Sequence, residues 1–157
     1  WIDKRPAPRG KALLIRAMMD GHNRARALYG SAPLVWDEAL ARDAQLYAAQ
    51  LARSGRFEHD PQRGRRPRQG ENLFVGTRTA YRYEEMVGGW VDERRHYRPG
   101  RIPNVSRTGD FSAVGHYTQI IWPTTRRVGC ATASNRSSDY LVCRYFPAGN
   151  VYGTLLR

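Results

Sequence analysis

The chain has 157 residues, 41% of them hydrophobic and 11% aromatic, enough for one domain with a packed core and too few for two comfortable ones. Its 26 basic residues, all arginine except Lys4 and Lys11, outweigh 14 acidic ones and give a formal net charge of +12. That balance predicts attraction to anionic surfaces such as acidic polysaccharides, acidic lipids or phosphate polymers, although a merely solvated, self-repelling surface is the plainer reading. No stretch approaches the ~18 apolar residues of a transmembrane segment. Without a recognition-helix pattern, zinc-finger spacing or aromatic ribonucleoprotein motif, no specific nucleic-acid binding is expected.

Residues 1–10 hold two prolines and mixed charges and read as a tail ahead of a single domain over 11–157. The opening Trp1-Ile2-Asp3-Lys4 has no apolar run behind it, so a signal peptide is expected to have been removed already. Lys11 to Leu28 reads as a helix with Leu13, Leu14, Ala17, Met18, Gly21, His22 and Ala25 on one stripe. Leu34-Val35-Trp36 is a short extended piece. Asp37 is placed to cap a second helix, whose inner face is Leu40, Ala44, Tyr47, Ala48 and Leu51 and which Ser54-Gly55 ends. Arg56 to Gly70 is an arginine- and proline-rich loop, and Glu71 follows Gly70 in a turn. A third helix is expected over about 79–95, with Tyr83, Met86, Val87, Trp90 and Val91 inward, and a long loop over 97–112. Strands are expected at about 114–122, 127–134 and 139–146. Helices first and a strand meander last argue an α+β fold with an antiparallel sheet.

Cys130 and Cys143 sit in the last two strand-like runs, joined by the polar hairpin loop Ser134–Asp139. Adjacent antiparallel strands bring two Cα atoms within disulfide range, so a disulfide and an oxidising compartment are expected. His116 falls in an apolar and aromatic run. Alternation along a strand would put His116, Thr118 and Ile120 on one face and Tyr117, Gln119 and Ile121 on the other. A titratable ring there needs a polar partner. His59, Glu71 and Glu93 are on offer, Glu93 because it lies three residues after Trp90 on the same helix side. Two imidazoles and two carboxylates suit a divalent cation such as zinc or magnesium, and equally a metal-free cluster in which each Glu orients a His.

Four segments in order resemble the CAP superfamily, which includes cysteine-rich secretory proteins, insect venom antigen 5 and class-one pathogenesis-related proteins. They are His22-Asn23-Arg24-Ala25-Arg26, Gly70-Glu71-Asn72-Leu73, Gly115 to Trp122, and Leu141 to Tyr152. The resemblance implies an α-β-α sandwich, three to four helices flanking a three- to four-stranded antiparallel sheet, and a secreted or periplasmic address. It also implies a central cleft whose two His and two Glu fall on His59, Glu71, Glu93 and His116. Asp92 and Glu85 compete with Glu93, and His59 rests on the weakest context. His22 is expected to cap and pack the first helix, and Asn23, Asn72, Tyr117 and Gln119 to tie loops to the core. His96, among arginines, is expected to be solvated.

Three functions follow as alternatives. One is a secreted binding module whose cleft takes a divalent metal, a lipid, a sterol or a cell-wall component. Another is a metal-assisted hydrolase or protease using the same cleft. The last is a basic protein that attaches to anionic wall polymers or membranes through its arginine loops.

Overall fold

The Asp37 carboxylate accepts the Leu40 N–H at 2.9 Å and starts helix α2, Glu38–Ser54, which Gly55 ends with φ 70° in the left-handed region. Helix α1, Lys11–Ala27, turns Leu14, Ala17, Met18, His22 and Ala25 inward as expected, whereas Leu13, expected on the same stripe, is exposed. The computed structural model describes residues 5–157, so Trp1 to Lys4 of the expected tail lie outside the described residues. What is described of the tail is tied to the body. The Ala7 N–H donates to the Thr79 carbonyl at 2.8 Å, and Arg9 pairs with Asp139 at 2.7 Å.

The main sheet is built from β1 (Val35–Trp36), β2 (Gly70–Thr77), β4 (Arg127–Ser134) and β5 (Ser138–Phe146), in the order β1-β4-β5-β2. A separate ribbon joins β3, Gly100–Arg101, to β6, Leu155–Leu156, inside and beyond what the sequence marks as a long loop. Helix α2 packs on one face of the main sheet; α1, α3 (Tyr83–Val91) and α4 (Gly115–Ile121) lie in the other layer. This is the α-β-α sandwich expected. Strand alternation serves both layers: Tyr140 and Val142 join the cluster under α2, while Leu141, Cys143 and Tyr145 join the larger core opposite. Gly129 permits the close seat of α2, since a Cβ there would stand 2.2 Å from the Ala41 backbone nitrogen. Cys130 and Cys143 face each other across β4 and β5 and form the expected disulfide.

Four expectations are corrected. The sheet is mixed, because β1 runs parallel to β4. Gly70-Glu71 is no turn but the start of an eight-residue edge strand, in which Glu71 stands opposite Arg144. The third helix is shorter than 79–95. Arg82 donates its N–H to Glu85 Oε1 at 2.9 Å and so delays the start, and the end tightens into a 3₁₀ turn at Asp92–His96.

The fourth correction is the largest: the segment around His116 is helix α4, not a strand. Tyr117 to Ile121 are all buried, so no polar stripe betrays the helical period, and a short apolar run of aromatic and β-branched residues reads as a strand. The helix is held from outside its own sequence. Glu93 Oε1 accepts the Tyr117 N–H at 3.0 Å. At the other end the fully buried Arg26 donates to the carbonyls of Ile120 (3.0 Å) and Trp122 (2.8 Å), and also to those of Ala32 (2.8 Å) and Thr125 (3.0 Å). His116 therefore shares its side with Gln119 and Ile120 rather than with Thr118.

A directed polar chain crosses the core. Asn72 Nδ2 donates to Tyr145 Oη (3.1 Å), Tyr145 donates to His22 Nε2 (2.7 Å), and His22 Nδ1–H donates to the Met18 carbonyl (2.7 Å). His22 thus packs within α1, and Asn23 holds Leu34 by accepting its N–H at 2.8 Å. Burial lowers the His22 pKa to about 4 from 6.5, so the ring is neutral in the fold. Between those values the unfolded chain binds the extra proton, so this contribution is complete above pH 6.5 and is lost as the pH falls toward 4. The loss is about 3 kcal/mol at one group. Urea titrations from about pH 7 to pH 4 are expected to show it as a falling midpoint, and His22→Gln to remove this part of the slope; an unchanged slope in that variant would refute the assignment. Reduction of the disulfide, which closes a loop with a sequence separation of 13, is expected to cost about 3 kcal/mol in the same assay.

Candidate functional site

Successive residues of β2 point to opposite faces of the sheet, and the site is built on that alternation. Glu71 turns to the α2 side. Its Oε1 accepts His59 Nδ1–H at 2.7 Å and the Asp60 N–H at 3.0 Å. Its Oε2 stands 2.8 Å from Arg144 Nε, off the line of a directed hydrogen bond, so this buried contact is an ion pair held by charge. The Arg144 side chain is 1% exposed and that of Glu71 4%. The guanidinium is spread over further acceptors, Asp60 Oδ2 at 2.7 Å and Gln69 Oε1 at 2.8 Å, and lies 5.4 Å from the Tyr47 ring centroid. Burial, then the charges of Glu71, Asp60 and Glu58, push the Tyr47 hydroxyl up to about 12.

Asn72 turns to the other side and donates to the His116 carbonyl at 3.1 Å. There Glu93 Oε2 accepts His116 Nδ1–H at 2.7 Å, while its other oxygen holds the Tyr117 N–H. The Trp90 ring stacks on the His116 imidazole, 5.6 Å between centroids and 14° apart in plane. The structure therefore makes two His–Glu pairs, His59–Glu71 and His116–Glu93, one on each side of the edge strand. Among the competitors, Glu85 caps α3 and Asp92 lies beside Arg94 and Arg95.

A cavity of about 340 Å³ borders the first pair and reaches the second layer. His59, Glu71, Gln69 and Arg68 line it from one side, and Gln119, Gly149 and Asn150 from the other. Gln119 accepts the Gly149 N–H at 3.0 Å, and Asn150 bridges Thr118 Oγ1 (2.7 Å) and the Gly115 carbonyl (2.9 Å), so the 148–150 segment is a wall fastened to α4. Gly70 is required beneath it, since a Cβ would meet Gln119 Oε1 at 2.1 Å. Tyr117 is buried, with its hydroxyl 2.6 Å from that of Tyr29.

A carboxylate only accepts, so each imidazole presents Nδ1–H to its glutamate and keeps Nε2 as the lone-pair nitrogen when neutral. That is the donor chemistry of a ring oriented for a metal by a carboxylate partner. The carboxylates themselves are committed to N–H groups. Among the described residues no three His, Cys, Asp or Glu side chains form a ligand group. Arg144, Asp60 and Gln69 carry the site without having been assigned a role in the sequence, and Trp90, expected to face inward, also stacks on His116. The available signal was an arginine inside the apolar run Leu141 to Phe146, a buried charge that needs a partner.

Arg144→Met leaves the Glu71 carboxylate buried without its cation and is expected to cost about 3–5 kcal/mol in chemical denaturation. Glu71→Gln with Arg144→Met is expected to recover part of that loss, and strictly additive losses would exclude the coupling.

The model of the cysteine-rich secretory protein family, CAP, matches residues 19–145. Pathogenesis-related protein PR-1 of Medicago truncatula is 38% identical over 133 residues, covering 83% of this chain and 72% of that protein. Secreted protein RBT4 of Candida albicans is 34% identical over 140 residues, 87% of this chain and 36% of its own. Among solved structures, that of NaASP2 with Zn2+ superposes with a TM-score of 0.75 at 22% identity, covering 95% of this chain and 88% of that one, a likeness of fold.

Proposed function

The chain belongs to the cysteine-rich secretory protein (CAP) family, and on that premise we propose that it is an extracellular binding protein whose cleft takes a divalent transition metal, zinc foremost, together with a polar ligand. The observation that carries this reading is the pair of 2.7 Å His–Glu contacts, each of which orients a ring and leaves its Nε2 free of any bond to a described residue. His59 and His116 would hold the metal through Nε2, with Glu71 and Glu93 behind them as orienting partners. Imidazole nitrogen favours zinc over magnesium, which prefers oxygen. Bound there, zinc supplies a Lewis-acidic centre for a ligand oxygen. NaASP2, whose structure was solved with Zn2+, shares the fold at 22% identity. The disulfide and the secreted relative RBT4 support the extracellular address.

The cavity walls decide the ligand's character. His59, Asp60, Gln62, Gln69, Glu71 and Gln119 line it, which favours a polar wall component over a lipid or sterol. An apolar ligand finds better walls in a trough of about 540 Å³ between α1, α2 and β4, floored by Leu14, Ala41, Cys130 and Ala131.

Zinc at about a hundred times its dissociation constant is expected to stabilise the protein by about 2.7 kcal/mol, read as a rise in melting temperature that a chelator reverses. His59→Ala and His116→Ala are each expected to abolish the rise, and Glu93→Gln to weaken zinc binding about 10–100-fold. A rise that survives both histidine variants would place the metal elsewhere.

A further inference from the structure

Exposed arginines gather on the loop before β2 and after Glu93, outside any ion pair among the described residues. Among the described residues, Arg63, Arg66, Arg68, Arg94, Arg95 and Arg107 form no ion pair. The first three belong to a loop closed at its base by a reciprocal amide clamp. Gln62 Nε2 donates to the Gln69 carbonyl at 2.9 Å, and the Gln69 N–H donates to Gln62 Oε1 at 2.8 Å. Arg65 is tethered to Asp43 at 3.2 Å, and Arg68 lines the same cavity as His59 and Glu71. The other three line a separate concavity of about 740 Å³ with Val91 and Asp92. Arg94 and Arg95 directly follow Glu93, the partner of His116. Arg107 is placed there by its backbone, whose N–H donates to the His96 carbonyl.

Like charges gathered in this way repel, and in a chain of net charge +12 no described carboxylate is ion-paired with these six, Asp92 alone standing in the concavity of the second three. An anionic partner would, and guanidinium forks match carboxylate and sulfate oxygens in pairs. We propose that the two arginine clusters bind an acidic polysaccharide, a polymer whose repeated carboxylate or sulfate groups reach both clusters at once beside the cleft. The inference rests on the cleft being a binding site and names the class of polymer it receives. Neither arginine-lined concavity offers an aromatic side chain for a base to stack on, and neither cluster lies on a helix able to enter a groove, which disfavours nucleic acid. Nor does either present a large apolar side chain, beyond Val91, to enter a lipid surface.

The test immobilises heparin as the sulfated polymer and polygalacturonate as the carboxylated one, with neutral dextran and phosphatidylglycerol vesicles for comparison, and measures the affinity of the full chain against salt. Binding to at least one acidic polymer, screened by salt and exceeding that of galacturonic acid monomer by about 10²-fold or more, is expected. R94E/R107E and R63E/R66E are each expected to weaken it by about tenfold or more. R16E/R136E makes the same change in net charge on α1 and at the β4–β5 hairpin tip, and is expected to weaken it less than about threefold. Equal losses from all three pairs would show a net-charge effect and overturn the proposal, as would vesicle binding without polymer binding. Should either glutamate pair misfold by circular dichroism, R94Q/R107Q and R63Q/R66Q carry the same comparison. The zinc-dependent rise in melting temperature is expected to persist in the arginine variants, so its absence from the parent protein would refute the metal reading while leaving this one standing.

Discussion

The two ends of a seven-residue helix decide where His116 stands, and both are held by side chains remote in sequence. Glu93 takes an N–H at the start of α4. Arg26, buried and without a carboxylate, gathers the carbonyls at its end. So short a helix, wholly apolar from Tyr117 onward except for Thr118 and Gln119, would not persist alone. Its existence is a tertiary fact. Because α4 also carries Gln119 and the anchorage of Asn150, the far wall of the cavity depends on the same guanidinium. A buried cation is usually a liability, but here its donors meet carbonyls that the helix end leaves open.

The edge strand β2 has the complementary role. One residue, Glu71, serves the layer of α2, and the next, Asn72, serves the layer of α4. The sheet's alternation thereby separates two His–Glu pairs, His59–Glu71 and His116–Glu93, each internally satisfied. Neither pair needs the other for its hydrogen bonds. The buried network around Arg144 anchors one half and the stack of Trp90 on His116 the other.

What could be read from the chain depended on whether the cause was local. Asp37 and Gly55 mark α2 within its own sequence, and the spacing around Cys130 and Cys143 marks the hairpin and its disulfide. Strand β2 was hidden because Gly70-Glu71-Asn72-Leu73 holds a glycine and two polar residues, and its register comes from β5 opposite, from Tyr145 across Gly70 to Ser138 across Thr77. Helix α4 was hidden because burial on every side erases periodicity. His59, in the weakest motif, meets Glu71, and Glu93 prevails over Glu85 and Asp92 as the partner of His116 because the 3₁₀ turn after α3 brings it onto the start of α4.

The paired amides of Gln62 and Gln69 separate two concerns that most surface loops leave entangled. With the neck of the loop shut, a change among the six residues between meets the scaffold below chiefly through Arg65, whose partner Asp43 stands on α2. The start of β2 at Gly70 is thereby insulated from the course that the loop takes beyond its neck.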